Sequence, residues 1–440
     1  MKFASRYCVV FLVLWAVSGA VHAEIRHIIL FVGDGMGYNQ VSAGSCYTTG
    51  REQGQLYWQY SHWPMSTYSG NNKEGYRPDL AWSDFSYVKK LPTDSAAAAT
   101  TLSSGVKVRN GLIGMTPEGE PARHFIEDAE AAGWSTGAVT TVYYTHATPA
   151  AFTAHVKSRN KTEDIGIDMI RNTSVDVVIG AGHPWYDDDG VKSAEPSYGR
   201  VGGEALWKEL VAGTAGGDAD GDGIADPWTL VESRAGLQAI VEGPAPKRLL
   251  GVMPVGAAFQ VNRGGDQKAA ADVAPRLETS PTLTETVMAA LKVLGQNPKG
   301  FFLMAEGGAI DWASHGNASG RMIEEQRDFD EAIAAVHAWV EAKSSWEETL
   351  VMITADHETG HLTGPGSDPE YKPLENRGQG QMPGMEWHST QHTNHLVPFF
   401  AHGFGSDRFA AHVKGEDPKR GPYLDNTSVA QVMRELLLKP

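Results

Sequence analysis

The fold is decided by one stretch, IRHIILFVGDG at residues 25–35, in which a mostly apolar run of eight residues leads directly into a glycine turn. A run of this composition predicts a strand that is buried on both faces. Such strands are typical of parallel sheets covered by helices. Asp34 then lies just beyond the carboxyl end of the predicted strand.

Further along the chain, short apolar runs bounded by Gly, Pro or Asp alternate with helical patterns. These runs lie at residues 136–142, 175–180, 301–305, 350–354 and 396–401. The alternation predicts an α/β fold, a three-layer sandwich whose central, mostly parallel sheet is covered by helices on both faces. We expect a single domain over residues 24–440, with insertions at about 182–260 and 363–388, where Gly, Pro and charged residues are frequent.

The first 23 residues have the pattern of a secretion signal. Lys2 and Arg6 precede a short apolar run, and small residues around Ala23 fit a cleavage site. The run is short for a transmembrane helix, although an uncleaved anchor is the alternative. We therefore expect an exported protein, periplasmic or extracellular, with no membrane anchor after cleavage.

Charge and cysteine content narrow the possible functions. The chain has 53 acidic and 37 basic residues, a net charge of −16, which argues against specific binding to nucleic-acid phosphates. Cleavage of the signal would remove Cys8 and leave Cys46 without an internal disulfide partner. Stability must then come from the core and from bound metal.

Ligands of open α/β sheets bind beyond the carboxyl ends of the strands. Carboxylate and imidazole side chains cluster at these points of the sequence, at Asp34, Glu306, Asp311, His315, Asp356, His357 and His392. Each alone has an ordinary explanation as a turn residue, a surface pair or a helix cap. Together they favour a metal centre, with zinc at mixed nitrogen and oxygen ligands and magnesium at an all-oxygen position.

The segment PTDSAAAATTLSSG, residues 92–105, predicts a helix that starts near Asp94 or Ser95 and stops at Gly105. Ser95 has two interpretations, a simple helix cap or a nucleophile placed where helix N–H groups favour phosphate. A neighbouring metal would activate the hydroxyl. A second helix is predicted over residues 149–159, and Arg159 at its end could clamp a phosphate through two hydrogen bonds.

Six segments in this order resemble the alkaline phosphatases. They are VGDGMG at 32–37, TDSAA at 93–97, HATPA at 146–150 with Arg159, EG at 306–307 with Asp311 and His315, TADHE at 354–358, and HT at 392–393. The resemblance implies an enzyme that hydrolyses small phosphate monoesters through a phosphoseryl intermediate at Ser95, with Arg159 holding the phosphate. It also implies a homodimer.

The same resemblance implies three metal sites. The first zinc is expected at Asp311, His315 and His392. The second zinc is expected at Asp34, Asp356, His357 and the Ser95 oxygen. Magnesium is expected at Asp34, Thr148 and Glu306.

Two positions of the expected site differ among relatives. His146 stands near the magnesium site, where relatives have Asp or His, and it leaves open which metal the third site holds. Trp312 stands near the phosphate, where relatives have Lys or His, so no cation reaches the phosphate from there. We expect weaker binding of the phosphate product and faster release.

A second metal loop is possible at DADGDGIAD, residues 218–226. Its carboxylates at Asp218, Asp220, Asp222 and Asp226 resemble the start of a calcium loop, but Thr229 stands where the final acid belongs. An ordinary Asp/Gly-rich turn is the alternative.

Two other functions stay open at this point. A phosphodiesterase of the same superfamily would share the metal ligands. A non-catalytic exported protein that binds metal or phosphate would have metal sites closed by protein ligands.

Overall fold

The computed structural model describes residues 24–219 and 222–438. The predicted signal at 1–23 lies outside the described residues, as does Asp220 of the predicted calcium loop. Within the described ranges, no helix is both long enough and apolar enough to cross a membrane.

The strands are numbered in chain order. They are β1 (His27–Gly33), β2 (Ser61–Ser66), β3 (Ser135–Tyr143), β4 (Val177–Ala181), β5 (Thr229–Val231), β6 (Leu249–Val252), β7 (Phe301–Gly307), β8 (Thr349–Ala355), β9 (Glu358–Thr359), β10 (Leu362–Thr363), β11 (Glu386–Trp387), β12 (His392–Thr393), β13 (Val397–Gly403), β14 (Gly415–Asp417) and β15 (Gly421–Asp425).

The α-helices are numbered in the same way. They are α1 (Tyr38–Thr49), α2 (Pro78–Ala81), α3 (Ser95–Ser104), α4 (Phe125–Ala131), α5 (Ala147–Thr153), α6 (Thr162–Arg171), α7 (Gly203–Val211), α8 (Arg234–Glu242), α9 (Leu283–Leu294), α10 (Ala309–His315), α11 (Ser319–Lys343) and α12 (Thr427–Leu438).

One large sheet organises the molecule, with strand order β14-β15-β2-β13-β8-β1-β7-β3-β4-β6-β5. The strands from β8 to β5 run parallel, and β13 is antiparallel to both of its neighbours. Helices α9 and α11 pack on β7 together, and α4 and α5 form a separate group that also contacts β7. The predicted three-layer α/β sandwich with a mostly parallel sheet is confirmed.

Two details differ from the sequence-based expectation. The segment 182–260 supplies β5 and β6 to the sheet, so this part of the chain extends the sheet at one edge. The helix predicted over 149–159 is wrong in length, because α5 ends at Thr153 and Ala154 is extended, with φ −144°. Val156 then pairs with Ile113 in an antiparallel bridge, which draws the chain away from the helix axis.

The register of the three central strands aligns their carboxyl ends. Gly33 of β1 stands opposite both Gly307 of β7 and Ala355 of β8. The residues that follow β1 and β8 therefore emerge side by side, next to Glu306. Gly35 makes the turn after β1 with φ +72°, and a Cβ atom at Gly35 would stand 2.7 Å from the Cα of Asp311.

Gly35→Ala tests this close approach. The left-handed backbone costs a non-glycine residue about 1–2 kcal/mol, and the clash with Asp311 adds about 1–3 kcal/mol. Gly119→Ala is the matched control, because Gly119 has φ +91° but no atom within 4 Å of its added Cβ. Urea unfolding should show a clearly larger loss of stability for Gly35→Ala; equal losses would contradict the close approach.

Candidate active site

The first cluster of possible metal ligands comes from β1 and β8. Asp34 follows β1, while Asp356 and His357 follow β8, and all three side chains are fully buried. The Nε2 atom of His357 lies 3.0 Å from Asp356 Oδ2 and 3.6 Å from Asp34 Oδ1. The structure thus brings together the protein ligands predicted for the second zinc.

The second cluster is the set predicted for the first zinc, and it is more open. Asp311 and His315 lie on α10, and His392 begins β12. The Nε2 atoms of His315 and His392 are 3.0 Å apart, and each lies within 3.5 Å of an Asp311 oxygen. The His315 side chain is 34% exposed, so an ion here could also bind a small molecule from solvent.

Contacts on the far side of the rings orient the two histidines. Nδ1 of His315 donates to the Thr390 carbonyl at 2.6 Å, and Nδ1 of His392 donates to the Thr93 carbonyl at 2.8 Å. Each Nε2 atom then lies towards Asp311, and it can offer its lone pair to an ion that displaces any proton bound there. This arrangement is typical of imidazoles that bind a metal.

The third cluster joins Asp34 to Glu306 and His146, with Thr148 beside it. Glu306 stands opposite Val32 in the sheet and accepts a short hydrogen bond from the Thr140 hydroxyl. His146 comes just before α5 and its Nδ1 atom lies 4.0 Å from Asp34 Oδ2. The predicted magnesium ligands therefore lie together, with His146 as a further neighbour.

Several buried polar atoms of these clusters have no hydrogen-bond partner within the described residues. They are both oxygens of Asp34, one oxygen each of Asp356 and Glu306, Nδ1 of His146 and the hydroxyl of Thr148. Buried polar atoms are normally paired, since an unpaired one costs about 1–3 kcal/mol. Bound cations would compensate the oxygen atoms of this set at once, so the residues present fit a multi-metal centre.

Without a bound cation, burial and the neighbouring charges strongly shift the pKa values of the residues in these clusters. Burial and the negative charges of Asp356, Asp311 and Glu306 hold the pKa of Asp34 well above its usual range. Burial also raises the pKa of Glu306 to about 8, despite the hydrogen bond from Thr140. Burial opposes charge on His315, but its hydrogen bond to Asp311 raises the pKa of this imidazole to about 9.

Ser95 is the first residue of α3, and it is not the residue that caps the helix. Asp94 takes that position, and its Oδ1 atom accepts from the Ala97 N–H at 2.9 Å. The Ser95 hydroxyl is free of capping and lies 3.3 Å from Nε2 of His357. The structure thus places the predicted nucleophile against the buried cluster.

Arg159 lies in the loop after α5, beside the same helix start. Its guanidinium donates to Asp94 Oδ2 at 3.2 Å and to His146 Nε2 at 3.2 Å. Burial disfavours the charge on Arg159, but Asp94 and Asp34 outweigh it and raise the pKa of the guanidinium. These two hydrogen bonds use two of the five N–H donors of the guanidinium, which leaves three donors for an anion.

An aromatic wall borders this site. The half-buried Trp312 ring makes edge contact with His146, at a centroid distance of 5.7 Å, and lies 6.1 Å from Tyr143. The Arg200 guanidinium stacks over the outer face of Tyr143 at 5.0 Å. The Trp312 side chain carries no charge.

The predicted calcium loop is only partly described. Asp218 accepts from the N–H groups of Asp222 and Gly223, and Asp226 forms an ion pair with Lys247 at 2.5 Å. In the described part of the loop, these acids belong to none of the clusters of three or more possible ligands. With Asp220 outside the described residues, calcium binding stays a prediction.

Three further residues organise the site, and sequence reasoning named only Asp94 of these, as one of two candidate helix starts. The Thr359 hydroxyl donates to Asp311 and lies 3.3 Å from His357 Nδ1. Thr359 therefore joins the cluster around Asp311 to the cluster of Asp34, Asp356 and His357. Asp94 joins the Ser95 helix to Arg159, and Thr140 holds Glu306. Thr359 stands two residues after His357 in the sequence, and the alternation of a strand could have indicated it.

Fold and site together define a class: an α/β protein with several metal-ligand clusters at the carboxyl edge of its sheet and a serine at a helix start between them. A sequence model of the alkaline phosphatase family matches residues 25–382. The chain belongs to the alkaline phosphatase family. This confirms the resemblance and, with it, the expectation of an enzyme.

Individual relatives agree with this assignment. The chain is 32% identical over 344 residues to alkaline phosphatase 4 of Bacillus subtilis, covering 78% of this chain and 63% of that protein. It is 31% identical over 367 residues to the alkaline phosphatase of Escherichia coli, covering 76% and 70%. The matched part thus spans less than two thirds of the first of these relatives.

Solved structures share the fold. The alkaline phosphatase of the Antarctic bacterium TAB5 has a TM-score of 0.64 at 23% identity, covering 94% of this chain and 99% of that chain. The cold-active alkaline phosphatase of a Shewanella species has a TM-score of 0.66 at 24% identity, covering 93% and 99%. A variant of the TAB5 enzyme has been solved with Mg bound in its M3 site.

Removal of metal should make stability depend on pH. Because the pKa of Glu306 is raised to about 8 from a usual value of 4.5, its contribution is present below pH 4.5 and is lost as the pH rises towards 8. Chelated protein should therefore lose stability to urea between pH 5 and pH 8. Chelated Glu306→Gln should lose less over that interval, since the amide of a glutamine does not ionise. Equal losses would contradict the raised pKa.

Proposed function

We propose that the chain is a phosphomonoesterase, which hydrolyses small phosphate monoesters to an alcohol and inorganic phosphate with Ser95 as the nucleophile. The observation that carries this proposal is the position of Ser95. Its hydroxyl is relieved of capping by Asp94 and lies 3.3 Å from His357, at the edge of the buried ligand cluster. A serine that only capped the helix would accept a hydrogen bond from a backbone N–H with its side-chain oxygen.

Ser95 and Arg159 have different roles: Ser95 forms a bond to phosphorus, and Arg159 binds the phosphate oxygens. In the first step the Ser95 oxygen bonds to phosphorus and the bond to the alcohol oxygen breaks, so that the serine proton leaves with the alcohol. In the second step water attacks the phosphoserine, the bond to Ser95 breaks, and Ser95 regains a proton. Arg159 holds two phosphate oxygens throughout and balances their charge.

Two zinc ions and one magnesium ion would complete the site. Asp311, His315 and His392 would hold one zinc, while Asp34, Asp356 and His357 would hold the other next to Ser95. These ions would supply Lewis-acid stabilisation of the entering and leaving oxygens. The unpaired buried atoms of Asp34 and Asp356 support this assignment.

Magnesium, rather than a softer metal, fits the third cluster. A guanidinium can only donate, so the contact from Arg159 makes Nε2 of His146 an acceptor. The proton of the neutral ring then sits on Nδ1, the atom that faces Asp34, and this nitrogen has no lone pair for a metal. The remaining donors of Asp34, Glu306 and Thr148 are oxygens, which magnesium prefers.

Burial supports a neutral His146 ring. Burial, followed by the charge of Arg159, lowers the pKa of His146 to about 3. The imidazole is therefore uncharged at every pH at which the enzyme would work. It acts as a spacer between Arg159 and the third cluster.

Monoesters suit this site better than the substrates of the alternatives. A monoester group carries up to two negative charges and a diester group only one, so Arg159 and the proposed cations attract the monoester group more strongly. The partial exposure of His315 and His392 argues against a closed storage site, because structural metal sites are usually closed by four protein ligands. The proposed enzyme is exported and forms a homodimer.

Replacement of the proposed nucleophile gives the main test. Ser95→Ala should lower turnover of an aryl phosphate monoester by about a thousandfold or more, because the covalent intermediate is lost. Ser104→Ala is the control in the same helix, since its hydroxyl donates to the Thr100 carbonyl and accepts from the Val106 N–H, at the end of α3 opposite Ser95. Both proteins are stripped with chelator and reloaded with zinc and magnesium before the assay.

The same assay separates the alternatives. Wild-type turnover of the monoester should far exceed that of the matching aryl diester. Preference for the diester would favour a phosphodiesterase, and absence of turnover in the reloaded wild type would favour a binding protein. Full monoester activity of Ser95→Ala would exclude the proposed nucleophile.

Trp312→Lys tests the effect of the missing cation. A lysine at this position should bind inorganic phosphate by a charge-assisted contact of about 1.5 kcal/mol, which lowers the inhibition constant of phosphate about tenfold. Trp312→Leu removes the ring without adding charge and should not tighten inhibition. An unchanged inhibition constant in Trp312→Lys would contradict the proposed effect of Trp312 on product release.

A further inference from the structure

A fourth cluster of possible metal ligands lies outside the site described so far. It consists of His124, Glu127 and His155, whose ligand atoms all lie within 4.8 Å of one another. His124 stands at the start of α4, and His155 lies in the loop between α5 and Arg159. Neither the sequence motifs nor the phosphatase site makes use of these residues.

The Glu127 carboxylate is the centre of the cluster. Its Oε2 atom lies 3.2 Å from Nδ1 of His124 and 3.5 Å from Nε2 of His155. Two imidazoles and one carboxylate form a ligand set that suits zinc, with a water molecule at the fourth position.

His155 is already oriented as a metal ligand. Its Nδ1 atom donates to the Gly114 carbonyl at 2.5 Å. The other nitrogen, Nε2, faces Glu127. Burial opposes charge on His155, but its hydrogen bond to Glu127 raises the pKa of this imidazole, so an ion that binds Nε2 would displace a proton. Such a second contact to a backbone carbonyl is typical of metal-binding histidines.

His124 gives an independent indication of a missing partner. It is only 2% exposed, and neither of its ring nitrogens has a hydrogen-bond partner within the described residues. A buried imidazole without partners is costly, because the desolvation of its polar atoms is not compensated. An ion bound through one nitrogen would compensate it.

Oε2 of Glu127 accepts from the His124 backbone N–H at 2.9 Å, and the carboxylate keeps further lone pairs for an ion. The neighbouring Asp128 is already paired with Arg123 and Arg434, at 2.5 and 2.6 Å. Burial, followed by the neighbouring His155, lowers the pKa of His124 to about 3, so this ring is neutral and able to bind a metal at ordinary pH.

The two rings now lie face to face, with centroids 4.4 Å apart and planes within 2°. An imidazole nitrogen binds a metal in the plane of its ring, so one ring must turn for both to share an ion. His124 is the ring that would turn. Neither of its nitrogens has a hydrogen-bond partner within the described residues, although Nδ1 lies 3.2 Å from the Glu127 carboxylate, and the outer torsion of a histidine side chain is broad. His155 stays fixed by Gly114.

We propose that His124, Glu127 and His155 bind a structural zinc ion that is separate from the catalytic metals. The ion would tie the start of α4 to the segment that leads to Arg159. The segment from His155 to Arg159 already lies beside residues 111–114. The Val156–Ile113 bridge and the hydrogen bond from the Arg159 N–H to the Gly111 carbonyl hold it there. A zinc at His155 would fasten it four residues before the phosphate-binding guanidinium.

The metal content of the whole protein tests this site. Wild type, His124→Gln and Glu127→Gln are loaded with zinc and magnesium and desalted, and zinc per chain is measured by plasma emission. Each variant should hold about one zinc fewer than wild type. His412→Gln is the matched control, because His412 forms a simple pair with Glu435 at 3.4 Å without a second histidine. It should keep the wild-type zinc content.

Two further measurements keep the result clear. Turnover of an aryl phosphate by the loaded variants should stay within about twofold of wild type, which shows that the lost ion is not a catalytic one. If the buried His124→Gln fails to fold, His155→Gln provides the same test from a half-buried position. Equal zinc content in the wild type and in the folded variants would overturn the proposal.

Discussion

Burial of unpaired carboxylate oxygens at the carboxyl ends of β1, β7 and β8 is the constraint on which the rest of the structure depends. Asp34 is fully buried and neither of its oxygens has a partner within the described residues, and Glu306 and Asp356 each add one more such oxygen. Buried carboxyl groups that lie this close together cannot all be negatively charged unless cations lie between them. The fold therefore makes sense as a scaffold that holds anionic ligands ready for metal.

The parallel sheet supplies the rigidity that such a scaffold needs. Three strands in register bring their ends to one edge, so the ligands are fixed by backbone hydrogen bonds rather than by mobile loops. Backbone carbonyls of Thr93 and Thr390 then set the tautomers of His392 and His315. The Thr359 hydroxyl joins the cluster around Asp311 to the cluster that contains His357. The orientation of the ligands is thus part of the fold.

Asp94 connects this metal scaffold to the phosphate chemistry. One of its oxygens caps α3, and the other accepts from Arg159 and from the Gly111 N–H. A single carboxylate therefore frees the Ser95 hydroxyl and positions the guanidinium on the same side of the helix start. The proposed zinc at His155 would fasten the Arg159 segment at its other end, so that the side chain proposed to bind phosphate is supported from both directions.

The sequence by itself determined six strands of the large sheet and most residues of the ligand clusters, because Asp34, Asp356 and His357 directly follow apolar runs, and parallel strands bring such positions to one edge. Only the tertiary structure decided that Asp94 is the cap, that α5 ends before Arg159, and that His124 meets His155. The Asp94 cap is a contact over only three residues, which the local pattern left shared between Asp94 and Ser95. The end of α5 and the pairing of His124 with His155 depend on contacts between segments far apart in the chain. No local pattern of residues encodes those contacts.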